Sequence, residues 1–115
     1  MAPDVPVRQA TLSDLEPAAA LFDQYRQFQG RPQDADAARE FLRARLERGE
    51  SVVFITDHEG RPAGFAQLYP SFSSVSLKRV FILNDLFVVE AGRRQGVAGR
   101  LLEAVEAYGL SLIHI

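Results

Sequence analysis

Cysteine and tryptophan are absent from this chain of 115 residues, and methionine occurs once and histidine twice. Without cysteine there is no disulfide framework, no thiolate nucleophile and no Cys-based metal site. His58 and His114 lie far apart without metal-ligand spacing, so no metal is expected, and His58 in D-H-E-G-R-P reads as a turn residue. An excess of one charge is also missing. The 13 Lys plus Arg stand against 15 Asp plus Glu, and a net charge of -2 gives no whole-molecule attraction to nucleic acid or to an anionic membrane. Neither partner is expected, and any anion site must be local. No apolar run approaches membrane-spanning length, and M-A-P-D-V-P-V-R-Q-A lacks the basic and then apolar pattern of a secretory signal. A cytoplasmic protein is the expectation. There is no internal repeat, low-complexity tract or linker.

What is present is enough for one small domain with one core, at 47% hydrophobic residues. Val5 to Gln9 reads as a short strand. In T-L-S-D-L-E, Ser13 and Glu16 stand at capping-box spacing, and Leu15, Ala18, Phe22 and Tyr25 recur at helical spacing until Gly30-Arg31-Pro32. Asp34 or Asp36 caps a second helix with Ala38, Phe41, Leu42 and Leu46 on one face and Gly49 as its stop. Its arginines read as a solvated face. Ser51 to Thr56 and Ala63 to Tyr69 read as a hairpin around D-H-E-G-R-P, after which Pro70 and the serines break the pattern. Leu77 to Val89 has the highest apolar density and is expected to be a central strand covered on both faces. Val97, Leu101, Val105 and Tyr108 mark one side of a third helix, with Gly109 as its cap.

The stretch between that strand and that helix, V-V-E-A-G-R-R-Q-G-V-A-G-R-L-L (Val88 to Leu102), raises the question of function. A Walker A loop would end in Gly-Lys-Ser/Thr, and the dinucleotide fingerprint would need glycine at Arg94 and Leu101; both patterns fail. What remains is strand, Arg93-x-x-Gly96-x-Ala98, then helix, with small residues where backbone can approach a ligand closely. The first N–H groups of a helix have no intrahelical partner and suit a pyrophosphate. Taken alone, the stretch is equally well a turn with solvated arginines.

Taken together, L-N-D-L-F-V-V-E-A-G-R-R-Q-G-V-A-G-R-L-L resembles the acetyl-CoA-binding core of the GNAT N-acetyltransferases, whose signature is Arg/Gln-x-x-Gly-x-Gly/Ala. Arg93, Gly96 and Ala98 match it, and the order of elements is similar over nearly the whole chain. The resemblance implies an α+β fold of order β-α-α-β-β-β-α, with a mixed, mostly antiparallel sheet flanked by helices. It implies acetyl-CoA as cosubstrate and no metal. Arg93, Arg94, Gln95, Gly96, Val97, Ala98 and Gly99 would bind the CoA pyrophosphate, and the backbone of Leu86, Phe87 and Val88 would pair with the pantetheine and polarise the thioester carbonyl.

The implied reaction is acetyl transfer to a primary amine of a small molecule or peptide. An alkylammonium with a pKa near ~10 must lose a proton before it attacks, so a base is wanted beside the strand. Diamine-acetylating members of the family carry Leu-Glu-Asp here. In this chain Asn84 stands at the Glu position and cannot take the proton, which leaves Asp85 as a water-linked base, as an anchor for a cationic acceptor, or in a structural role at a bulge. Asn84 itself reads as a bulge residue. Tyr25, Phe28, the Gln29-Gly30-Arg31 turn, Tyr69, Phe72 and Ser73 are the candidates for the acceptor pocket. The N-D-L-F-V pattern is similar to a branch described as acetylating polyamines or histone tails.

The family pattern continues past the third helix with further strands and a helix, which implies that residues 1–109 are the N-terminal and central part of one GNAT domain, truncated at its C-terminus. Residues 110–115, L-S-L-I-H-I, read as a partial strand or a non-native end. The tyrosine that protonates the leaving thiolate would lie in the absent part, so Tyr108 is not given that role. The alternatives are a non-catalytic CoA-binding or protein-interaction module, or an inactive fragment of the enzyme. A homodimer is left open.

Overall fold

The computed structural model describes residues 7–109 and 112–114. In chain order these form β1 (Arg8–Gln9), a 3-10 turn (Leu12–Asp14), α1 (Leu15–Phe28), α2 (Ala35–Glu47), β2 (Val52–His58), β3 (Arg61–Ser73), β4 (Lys78–Val88), a second 3-10 turn (Glu90–Gly92), α3 (Val97–Tyr108) and β5 (Leu112–His114). The sheet runs β1-β2-β3-β4-β5. Its first four strands are antiparallel, and β5 lies parallel to β4 with Phe81, Ile82 and Leu83 opposite Leu112, Ile113 and His114. This is the α+β order expected from the residues.

Each face of the sheet carries its own apolar cluster. On one face Leu15, Ala18, Ala19, Leu21 and Phe22 of α1, with Ala38 and Leu42 of α2, pack on Val53, Ile55, Phe65 and Phe87. On the other, Val97, Leu101 and Val105 of α3 pack on Val52, Phe54, Ala66, Leu68 and Leu83. The alternation along the strands produces this division, since successive side chains point to opposite faces. Gly64 permits the close seating of α3: a Cβ there would stand 2.9 Å from the Phe87 carbonyl oxygen and 3.1 Å from both Leu101 and Val97. The arginines of α2 are ion-paired, the exposed Arg39 to Glu16, and the half-buried Arg43 to Glu40 and Glu47 and Arg45 to Glu50. Such pairs contribute little to stability.

Several expectations need correction. The capping box sits two residues earlier than Ser13 and Glu16: the Asp14 carboxylate accepts the Thr11 N–H at 3.0 Å, and the 3-10 turn it organises leads into α1. Strand β1 is two residues long, and residues 5 and 6 of the expected strand lie outside the described residues. Pro70 does not end β3, which continues to Ser73 opposite β4. Pairing with β2 stops at Val52 and Leu68, so the missing Pro70 N–H is not needed by any second partner. The most enclosed strand is therefore β3, held between β2 and β4 and buried from Ala63 to Leu68, whereas β4 alternates between buried and half-exposed positions. The β2–β3 turn is narrower than D-H-E-G-R-P, because Asp57 and His58 stay in the ladder and only Glu59 and Gly60 turn, both at positive φ. Tyr108 is half-exposed, its ring set edge-on to those of Phe54 and Phe81.

Candidate active site

The register of β3 and β4 shifts between Gln67 and Leu68, where Gln67 faces Asp85 and Leu68 faces Leu83. Asn84 is the extra residue, a β-bulge, as its polar character in an apolar run suggested. One extra residue inverts the alternation. Leu83 packs on the α3 face, and Asp85, two positions on, faces α1 and α2 instead.

There Asp85 is buried, 6% exposed, at the floor of a pocket of about 450 Å³. The walls are Phe22, Tyr25 and Arg26 of α1, Ala37, Ala38 and Phe41 of α2, Tyr69 of β3 and Asn84. A volume of this size suits a small molecule or one side chain. The carboxylate is fixed by a buried chain of hydrogen bonds. Ser51 Oγ donates to Gln67 Oε1 at 2.6 Å, Gln67 Nε2 donates to Asp85 Oδ2 at 2.8 Å, and Asn84 Nδ2 donates to Asp85 Oδ1 at 3.2 Å. Gln67 is fully buried. Burial raises the pKa of the Tyr25 phenol, with the Asp85 charge and an Asp85 hydrogen bond adding to it. Burial, followed by the Asp85 charge, pushes Tyr69 up to about 12. Both phenols are thus protonated donors at neutral pH.

The sequence candidates divide. Tyr25, Tyr69 and Asp85 meet in this pocket. Phe28 does not line it; it is exposed, 6.1 Å from the Phe87 ring and covered by the Arg93 guanidinium at 5.4 Å. Phe72 is not brought to the pocket: it is 73% exposed near the tip of the β3–β4 hairpin, under Arg79. The reason is the continuation of β3 through Pro70, which carries Phe72 away from the helices. Sequence reasoning passed over Gln67, Phe22, Phe41, Arg26 and the two alanines. The signal for Gln67 was available, as a lone amide within the apolar strand from Ala63 to Leu68.

Beyond Asp85 the outer edge of β4 opens. Pairing with β5 is confined to Phe81–Leu83, and among the described residues no strand covers that edge at Leu86–Val88. Phe87 is buried toward α1, and Leu86 and Val88 pack toward α3. The chain then turns through Glu90–Gly92, where Arg93 Nε returns to the Val88 carbonyl oxygen at 3.0 Å. Arg94 and Gly96 both take positive φ, and Gly96 caps α3. The Arg100 N–H bonds the Gly96 carbonyl oxygen at 3.1 Å, so the N–H groups of the preceding turn have no partner inside the helix. Arg93 to Gly96, Ala98 and Gly99 are exposed, Val97 is buried, and a Cβ on Gly99 would meet nothing within 4 Å. An uncovered helix start beside an open strand edge fits a nucleotide pyrophosphate followed by an extended amide chain.

Residues 17–115 match the model of the acetyltransferase (GNAT) family. The chain belongs to this family. It is 53% identical over 102 residues to the uncharacterized N-acetyltransferase YhfO of Bacillus subtilis (strain 168), covering 89% of this chain and 68% of that protein. A probable acetyltransferase of Haemophilus influenzae is 31% identical over 96 residues, covering 83% of this chain and 66% of that one. The chain thus spans about two thirds of the length of these relatives. Among solved structures, a probable acetyltransferase superposes with a TM-score of 0.85 at 44% identity, over 95% of this chain and 77% of that one. The GNAT fold is shared as well with the aminoglycoside acetyltransferase AAC(6')-Iy in complex with a bisubstrate analog, CoA-S-monomethyl-acetylneamine. That match has a TM-score of 0.79 at 25% identity, over 98% of this chain and 80% of the other.

Proposed function

We propose that the chain transfers an acetyl group from acetyl-CoA to a primary amine of a small molecule or peptide, with the thioester along the open edge of β4 and the amine in the Asp85 pocket. The observation that carries this reading is the position of Asp85, a buried carboxylate one residue before the free edge at Leu86–Val88 and at the floor of an aromatic pocket. The N–H groups at the start of α3, around Arg94 to Gly99, hold the pyrophosphate. The strand backbone at Leu86, Phe87 and Val88 lies along the pantetheine, and its N–H groups polarise the thioester carbonyl. Asp85 holds the incoming ammonium and takes its proton. The neutral amine then forms a C–N bond to the carbonyl carbon, the C–S bond breaks, and the proton that the nitrogen sheds on becoming an amide balances the one that the thiolate takes up as CoA leaves.

The alternative of a non-catalytic CoA-binding or interaction module finds no support among the relatives, which are described as acetyltransferases. The polyamine or histone-tail branch rests on the N-D-L-F-V pattern alone, and the pocket supplies a sharper criterion below.

Gly99→Glu is the test. The position has open space and an ordinary φ, and an acidic residue in a first helical turn stabilises the helix, so the fold should melt no lower than wild type. The new carboxylate occupies the pyrophosphate site and should remove CoA binding in calorimetry. Wild-type affinity in a well-folded Gly99→Glu would refute the assignment of this helix start.

A further inference from the structure

The acceptor pocket has an uneven charge distribution. Asp85 is its one carboxylate, and Arg26 of α1 lines the same space. Of the neighbouring acids, Asp23 and Asp34 are engaged. Asp23 is buried and accepts the Asp34 N–H at 2.9 Å and Gln27 Nε2 at 3.2 Å, and Asp34 accepts the Ala37 N–H as the cap of α2. Arg45 lies over the Phe41 ring at 4.8 Å, and its charge is answered by Glu50 at 2.9 Å. Arg26 is different. Its side chain is half-buried, and among the described residues it has no ion pair. An arginine that lines a small-molecule pocket and has no carboxylate partner among the described residues suits an anion, to which its guanidinium offers five donors.

We infer that the acceptor carries a carboxylate or similar anionic group besides its amine, and that Arg26 receives it while Asp85 receives the ammonium. This rests on the acetyl-transfer reading of the site and narrows its substrate class to short zwitterionic amines. Once the first ammonium has taken Asp85, a second positive charge would find no further carboxylate among the lining residues and would meet the like charge of Arg26. A polyamine or a lysine-rich tail is therefore disfavoured.

Three probes share one five-carbon chain and one amine and differ only at the far end: δ-aminovalerate, n-pentylamine and cadaverine. With acetyl-CoA and the full chain, kcat/KM should fall in that order, with aminovalerate ahead of cadaverine by about tenfold or more, the size of one charge-assisted contact. Arg26→Gln should erase the advantage of aminovalerate over pentylamine, and Arg26→Glu should reverse the order in favour of cadaverine. Thermal melting of both variants verifies folding. Binding of each amine in the presence of CoA, followed by ligand-observed NMR, gives a readout separate from turnover. Selective binding of aminovalerate without acetylated product would defeat the acetyl-transfer reading and leave the Arg26 assignment standing. The assignment is overturned if wild type prefers cadaverine, if the preference survives Arg26→Glu, or if none of the three amines binds.

Discussion

Replacing Gln67 by leucine removes the amide that links Ser51 to Asp85 of β4 and leaves the carboxylate and the hydroxyl each without their shared partner. Unmet buried polar groups of this kind cost about 1–3 kcal/mol, more where one is charged. Gln67→Leu should therefore lower the unfolding free energy by about 1–3 kcal/mol, read from the shift of the urea midpoint, and also slow acetyl transfer, because Asp85 loses its fixed orientation. A stable, fully active Gln67→Leu would reduce the chain of hydrogen bonds to packing. At this scale the meeting of Asp85, Tyr25 and Tyr69 in one pocket could be anticipated, since a carboxylate beside a family motif and aromatic residues at element ends carry a signal in one dimension. Gln67 stands out in its strand as a lone amide, but its partner Asp85 is fixed only by the pairing of β3 with β4, which is not local. Phe72 was placed near the acceptor for the converse reason: it follows Tyr69 closely in sequence, but the strand carries it away.

The entry to α1 provides a test at the scale of an element. Asp14 has a pKa below its ordinary 3.8, chiefly because its carboxylate accepts the Thr11 N–H, with Arg8 adding a hydrogen bond and an opposite charge. A carboxyl depressed on folding contributes stability above its unfolded pKa and loses it as pH falls through the folded value. Asp14→Ala should cost on the order of 1 kcal/mol at pH 7, and the gap from wild type should narrow as pH drops below 3.8. Urea titrations across that range provide the measurement, and a gap independent of pH would mean that the charge plays no part. All three helices could be read from their apolar spacing. The capping residues of α1 could not, because T-L-S-D-L-E contains overlapping boxes and only the 3-10 turn decides between them. Strand β3 exceeded its expected length because Pro70 signals a break locally, while the ladder with β4 that overrides it is not local.

At the scale of the whole molecule, two apolar clusters share one sheet, and the Asp85 pocket and helix α3 lie on opposite faces of it. Their meeting line is β4, and the bulge at Asn84 gives it access to both. The same hairpin has a further consequence, for colloidal behaviour. From Tyr69 to Ser73 the β2 side of β3 has no neighbour among the described residues, and Phe72, Val75 and Leu77 are exposed around its tip. An extended apolar edge of this kind is a template for another chain. Pro70 presents no N–H to an added strand and so interrupts that template near its start. Pro70→Val should leave the pairing with β4 intact yet make light scattering rise with protein concentration; a variant that stays monodisperse at millimolar concentration would remove this role. On this account one proline keeps the molecule from seeding its own aggregation.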